Sequence, residues 1–231
     1  MSLKGVAKAT LQILEDGRYE GPSGAVIEFA AEQRAAVAGT ALYTPEQAMA
    51  LMEADGTAGP PPLIEVTAES TQAAAYRLVT AEGCADPVLL NFASARNPGG
   101  GFLTGAKAQE EDLSRSSGLY PCLLTQPAYY DANRGQRSLL YTDHLIYSPR
   151  VPWFRVSNRE LCEPLFLASV ITAPAPNAGE ARRRGVGGAE IEATLRRRSG
   201  LVLAVARERG HRTLVLGAWG CGVFRNRPEL V

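Results

Sequence analysis

Two adjacent carboxylates, Glu110 and Glu111, follow a triple glycine, Gly99-Gly100-Gly101, across a seven-residue spacer and one glutamine, Gln109. Two ionised neighbours raise the cost of the second charge, which lifts one pKa and leaves a proton available for general-acid work. Glycines allow left-handed or crowded backbone and leave N–H groups bare, and a helix starting just beyond them offers further unpaired donors at its positive end. A phosphate or diphosphate would bind such a loop without many cations. A phosphate cradle gains nothing from two carboxylates, so the pair suggests chemistry or hydroxyl recognition beside the anion. The helix dipole by itself also accounts for glutamates in a first turn, and on the pair alone both readings stand.

A second loop of the same kind, Gly217-Ala218-Trp219-Gly220-Cys221-Gly222-Val223-Phe224, lies near the C-terminus. Either loop alone would pass for a strand-to-helix turn, but together they are able to clamp one diphosphate. Neither fits Gly-x-Gly-x-x-Gly or the P-loop with its lysine and hydroxyl residue, which disfavours a dinucleotide dehydrogenase or an NTPase. Trp219 reads as packing under its loop, and Phe224, taken alone, as a core side chain. Asp143-His144 reads as a turn with a satisfied hydrogen bond, and the runs Arg182-Arg183-Arg184 and Arg196-Arg197-Arg198 as solvated helix faces.

The elements that must position these loops alternate. Residues 63–67 and 88–92 are predicted strands around a helix over 70–82, and the second strand runs straight into the triple glycine. Residues 144–148, 167–172 and 213–216 are further strand candidates. Residues 188–210 are predicted helical with a break near Ser199-Gly200. Upstream, 3–16 has helical spacing ending near Gly17, 21–42 is expected to be extended or irregular, Thr44-Pro45-Glu46 opens a helix, and 56–62 is a break. Alternating strands and helices argue for a mostly parallel α/β sheet with its ligand crevice outside the carboxyl ends of the strands.

At 231 residues the chain suits one domain with a sizeable core, or a domain with a lobe. Basic and acidic residues balance at 24 each, so nothing argues for a polycation partner surface, general nucleic-acid affinity or direct sequence-specific nucleic-acid binding. The basic side is nearly all arginine, with lysine only at 4, 8 and 107. Cys84, Cys122, Cys162 and Cys221 are scattered and only His144 and His211 accompany them, a pattern that implies neither a metal site nor disulfides. There is no signal-peptide pattern and no apolar run near the ~20 residues of a membrane span, so a reduced, cytoplasmic protein with no membrane partner is expected.

The triple glycine, spacer and Gln109-Glu110-Glu111 resemble the signature of the poly(ADP-ribose) glycohydrolases. Thr142-Asp143-His144-Leu145-Ile146-Tyr147-Ser148-Pro149-Arg150-Val151-Pro152-Trp153-Phe154-Arg155, Val170-Ile171-Thr172-Ala173-Pro174-Ala175-Pro176-Asn177 and Leu216-Gly217-Ala218-Trp219-Gly220-Cys221-Gly222-Val223-Phe224-Arg225-Asn226 are similar to the microbial branch of that family. The resemblance implies a macrodomain-like three-layer α/β fold, with a mixed, mostly parallel sheet between helices. It implies a catalytic domain over 59–231 and a small helical appendage, 1–58, packed on it. Family members usually continue past the point where this sequence stops, so a C-terminal helix and strand are expected to be missing, and Asn226 reads as a possible cap of that helix.

The site follows from the same resemblance. Glu111 would protonate the departing oxygen of the ribose–ribose bond, Glu110 would hold ribose hydroxyls beside it, and Asn97 the distal ribose. Gly99, Gly100 and Gly101 would approach the ligand by backbone; Gly220, Gly222 and Val223 would form the second diphosphate loop. Phe224 would pack against the terminal ribose and Gln109 would touch the adenosine portion. The partners are poly(ADP-ribose) or ADP-ribose and poly(ADP-ribosyl)ated protein, with no cofactor or metal. Two alternatives stay open: a macrodomain that only binds ADP-ribose, which needs the glycine loops but not the acid, and a mono-ADP-ribosyl hydrolase.

Overall fold

The computed structural model describes residues 1–54, 60–157 and 159–231; the expected domain boundary at 58 and 59, and most of the break predicted over 56–62, lie outside the described residues. The first third of the chain forms α1 (Leu3–Asp16), a small hairpin of β1 (Arg18–Glu20) and β2 (Val26–Glu28), α2 (Ala30–Gly39), β3 (Ala41–Tyr43) and α3 (Pro45–Glu53). Then come α4 (Thr71–Thr80), β4 (Val88–Phe92), α5 (Gln109–Ser116), α6 (Leu119–Leu124) and α7 (Pro127–Gly135). A long antiparallel pair, β5 (Leu145–Arg155) and β6 (Leu161–Ala173), leads to α8 (Ala178–Arg183), α9 (Gly188–Glu208) and β7 (Leu214–Val215).

Local chemistry sets several of these ends. Ser2 caps α1 by accepting from the Gly5 N–H, and Gly17, at φ 65°, takes the left-handed conformation that closes it. Thr44 and Gln47 form a reciprocal capping box on α3, with Pro45 at the first helical position. Ser70 caps α4 through the Ala73 N–H.

The main sheet has the order β3-β5-β6-β4-β7; β4 runs parallel to both β6 and β7, while β5 is antiparallel to β6 and β3 to β5. The sheet is mixed, and its parallel pairings are those that carry the glycine loops. Alternation along the strands separates two cores. Leu89 of β4, with Phe166, Ala168 and Val170 of β6, packs with α2, α4, α5, α6 and α7; Val88, Leu90, Ile171 and Ala173 face α3 and α9. Each fully buried aliphatic side chain of this kind stabilises the fold by roughly 1.5–3 kcal/mol. Residues 1–54 are woven into this arrangement, since β3 is an edge strand of the sheet and α2 and α3 cover opposite faces of it.

Three expectations are corrected. Residues 63–67 lie outside any strand among the described residues, with Leu63, Ile64 and Val66 exposed; alternation makes a segment able to pair but does not supply a partner edge. Residues 21–42 contain α2 as well as short strands. And α9 passes unbroken through Ser199-Gly200. A Cβ on Gly200 would lie 2.7 Å from the sulfur of Met52, so this glycine permits close approach of α3 to α9 instead of ending the helix.

Candidate active site

Parallel pairing puts the C-terminal ends of β6, β4 and β7 along one edge of the sheet, and the segments after all three converge there. After β4 the chain makes a tight loop and a 3-10 turn at Phe102–Thr104 before α5 begins at Gln109. Gly99 and Gly100 sit at φ 67° and 58°, in the left-handed region that favours glycine.

Both signature carboxylates lie under this loop, Glu110 at 2% and Glu111 at 8% exposure. Glu111 Oε1 accepts the Gly101 N–H at 2.8 Å, and its Oε2 has no protein donor among the described residues. Glu110 Oε2 accepts the Ser94 N–H at 2.6 Å, and its Oε1 accepts from Asn91 Nδ2 at 3.2 Å. The Gly100 N–H goes to the Asn97 carbonyl. Two N–H groups of the triple glycine are therefore used within the loop, Gly101 on Glu111 and Gly100 on the Asn97 carbonyl, where the sequence suggested bare N–H groups facing a ligand. Two buried acids need donors more than a solvated ligand does.

Burial, against the opposing hydrogen bonds from Ser94 and Asn91 and with help from neighbouring Glu111, pushes the Glu110 carboxyl up from 4.5 to about 8. Glu110 is thus protonated in the folded chain at neutral pH and ionised in the unfolded one, so stability is greatest below 4.5 and falls as pH rises toward 8. Relative to Glu110→Gln, the wild-type unfolding free energy is expected to lose up to ~1.4 kcal/mol per pH unit across that window. Parallel chemical-denaturation curves of the two proteins at pH 5 and pH 8 measure it; parallel pH dependence would refute a protonated Glu110.

Gln109 does not reach outward. Its Oε1 accepts the Phe92 N–H at 2.8 Å, and its Nε2 donates to the Leu90 carbonyl at 2.8 Å and to Thr71 Oγ1 at 3.2 Å. With both ends of the amide engaged, Gln109 ties the start of α5 to the end of β4 and to α4. Asn97 is exposed, and its side chain has no partner among the described residues. Asn91, the one polar residue in the apolar run of β4, was the legible sign of a buried polar partner; it also donates to Thr172 Oγ1 at 3.1 Å.

The second loop supplies what the first withholds. Among the described residues the N–H groups of Gly222, Val223 and Phe224 donate to no protein acceptor, and Gly222 and Val223 are exposed, the latter at 87%. Successive free N–H groups of this kind form a concave anion site. Phe224 packs beside Tyr141, ring centroids 6.0 Å apart. Trp219 is a packing residue: it is 3% exposed and donates to the Ala173 carbonyl at 3.1 Å. Asn226 caps no helix among the described residues. It is buried, its Nδ2 bridges the Pro176 and Gly220 carbonyls at 2.9 and 3.2 Å, and a 3-10 turn follows at Pro228–Leu230. That bridge ties the loop after β7 to the segment after β6.

Arg198 also departs from expectation. Of the run 196–198, read as a solvated face, it is fully buried, pairs with Asp143 at 2.8 Å and donates to the carbonyls of Pro174 and Leu140 at 2.6 and 3.0 Å. It thereby holds both the turn that presents Tyr141, at φ 60°, and the segment after β6. Asp143 is therefore an anchor, while His144 makes a local bond to Thr142 Oγ1 at 2.9 Å. Arg198→Met is expected to destabilise the fold by ~2–4 kcal/mol, because it leaves the buried carbonyls of Pro174 and Leu140 without their donor, while Asp143 keeps only its more exposed partner Arg197, at 2.6 Å. Urea unfolding at pH 7 tests this, and a change under 1 kcal/mol would contradict it.

Residues 7–156 match the family described as microbial-type PARG, catalytic domain. No curated protein matches the chain. Among solved structures, the chain is 51% identical to the poly(ADP-ribose) glycohydrolase of Thermomonospora curvata, with a TM-score of 0.93 over 99% of this chain and 83% of that one. The same enzyme bound to the inhibitor ADP-HPD gives 50% identity and a TM-score of 0.89, with the same coverage. The poly(ADP-ribose) glycohydrolase of Deinococcus radiodurans in complex with ADP-ribose gives 48% identity and 0.78, covering 86% of this chain and 79% of that one.

Proposed function

The chain belongs to the microbial-type poly(ADP-ribose) glycohydrolase family, and from that premise we propose that it hydrolyses the ribose–ribose O-glycosidic bond of poly(ADP-ribose), releasing ADP-ribose, with Glu111 as general acid. The observation that carries the role of Glu111 is its asymmetric setting: Oε1 is held by the Gly101 N–H while Oε2 has no protein donor among the described residues. An acid fixed through one oxygen and open through the other suits delivery of a proton to a leaving oxygen. Once it has donated, the same carboxylate can steady an oxocarbenium-like centre and draw a proton from the attacking water.

Glu110 supports this arrangement from below. Neutral at pH 7, it adds no charge to repel a diphosphate and fixes the β4 exit through Ser94. The free N–H groups of Gly222, Val223 and Phe224 would take the diphosphate, the side chain of Asn97 a distal ribose hydroxyl, and the Phe224 ring the terminal ribose. The crystallised relatives bound to ADP-ribose and to ADP-HPD support a ligand of this class. Poly(ADP-ribosyl)ated protein is the substrate proposed. All four cysteines are free thiols, which suits a reducing cytoplasm.

The test is to present the chain with poly(ADP-ribose) and, separately, with mono-ADP-ribosylated protein, and to quantify released ADP-ribose by chromatography. Release from the polymer and little from the mono-modified protein is expected. Binding of ADP-ribose without release from either would make the chain a reader, and release only from the mono-modified protein would make it a hydrolase of that linkage.

A further inference from the structure

Beneath the first loop lies a group of buried polar atoms that the mechanism does not use. Tyr129 and Tyr130 of α7 are 0% and 1% exposed, and neither phenol oxygen has a hydrogen-bond partner among the described residues. The same holds for Ser114 Oγ and Asn91 Oδ1. These four atoms belong to one neighbourhood. Asn91 already donates to Glu110. Ser114 is one helical turn beyond Glu110 on α5, and its Oγ lies 3.2 Å from where a Cβ on Gly99 would stand. The two tyrosine rings meet edge to face at 4.8 Å and share one buried core with Leu89 of β4 and Leu113 of α5, the neighbours in sequence of Leu90–Asn91 and Ser114.

Apolar packing does not account for this. A buried hydroxyl left unpaired is costly, a phenylalanine would fill either ring site without that cost, and buried polar groups are almost always satisfied by protein or by ordered water. Four such atoms within one buried region, one of them on the Asn91 that holds the carboxyl, offer water the two to four polar partners it requires.

We propose that ordered water held by Tyr129, Tyr130, Ser114 and Asn91 is hydrogen-bonded to Glu110, and that the two phenols are positioning residues governing how that carboxyl keeps its proton. Burial first, and the Glu110 carboxyl second, hold both phenols above the ordinary tyrosine range, so they remain O–H donors throughout the range in which Glu110 titrates. Around Glu110 the charged or titratable neighbours are Glu111 on its own helix and these two tyrosines on α7. Behind Tyr129 stand Arg198 and Tyr141, and behind Tyr130 stand Arg134 and Tyr120. Donors relayed through water favour the ionised carboxylate, so removing them raises the pH at which Glu110 loses its proton.

This deepens the role given to Glu110 above, and its test needs no turnover, so its failure is separable from failure of the hydrolase reading. The titration of the Glu110 carboxyl carbon is followed by NMR in the full chain, with Glu110→Gln for assignment, in wild type, Tyr129→Phe and Tyr130→Phe. An upward displacement of at least half a pH unit in either variant, with a wild-type-like spectrum elsewhere, is expected. Unchanged titration with raised thermal stability would mean that the hydroxyls are dry and unconnected, and would overturn the proposal. Should both phenylalanine variants fail to fold, Ser114→Ala, a smaller deletion in the same group, carries the same expectation. Independently, a high-resolution crystal structure of the wild type showing no water within hydrogen-bond distance of both Glu110 and a phenol oxygen would also overturn it.

Discussion

Glu111→Gln is expected to bind ADP-ribose within a few-fold of the wild type and to release ADP-ribose from polymer more slowly by ~10²–10⁴-fold, the usual contribution of a positioned general acid. Glutamine is close to isosteric, and its carbonyl oxygen can still accept the Gly101 N–H that Oε1 accepts now at 2.8 Å, so the loop keeps its shape. What is lost is the proton at the other oxygen. The two readouts must diverge: calorimetric affinity for ADP-ribose nearly unchanged, initial rate of release collapsed. A variant that turns over within tenfold of the parent would remove Glu111 from the role proposed for it. Loss of affinity in step with rate would instead make it a binding residue.

Gly100→Ala should be nearly as damaging, for a geometric reason. Gly100 sits at φ 58°, and a Cβ there would overlap Glu111 Oε1, lie 3.0 Å from Glu111 Cδ and lie 3.2 Å from Glu110 Oε2. Neither carboxylate can simply swing aside, since both are buried and hydrogen-bonded to backbone donors. The left-handed conformation alone costs about 1–3 kcal/mol for a residue with a side chain. The overlap then displaces the proposed acid, and misplacement on the order of 1 Å costs roughly 10²-fold in rate. Gly24→Ala is the matching control. That glycine has φ 85° in the turn between β1 and β2, but its Cβ would meet nothing within 4 Å. It should show the backbone cost and full activity. Equal activity in both alanine variants would refute the steric argument.

The parts of the fold that could be read in advance were those where one local pattern had one outcome. The apolar run 88–92 between turn signals is β4, residue for residue, and Thr44-Pro45 opens α3 with a capping box. Where the outcome depended on a partner distant in sequence, the pattern misled. Gly200 read as a break because its contact, Met52, lies in another helix. Residues 63–67 alternate as a strand does, yet pairing is a property of two segments. In α2, Ala-rich and buried mainly through Gln33 and Ala36, no apolar stripe announced a helix.

At the site, residue types were legible and directions were not. Gln109, Glu110 and Glu111 stood out, but nothing in their spacing says that Gln109 turns back on β4 or that the Gly101 N–H points inward onto Glu111. Arg198 and Asn226, which tie neighbouring segments together, carry no local signal at all. Each binds backbone carbonyls, and carbonyls are present at every residue.

The bond from the Gly101 N–H to Glu111 also bears on reorganisation energy. In water, dipoles must turn to meet a carboxyl whenever its charge changes, and that rearrangement recurs with each reaction event. Here the dipole that meets Oε1 belongs to a glycine peptide already locked into a loop with left-handed residues on its N-terminal side. Its orientation is settled when the chain folds, before any substrate arrives, so the field around the acid is a built-in property of the loop and need not be recreated at each turnover.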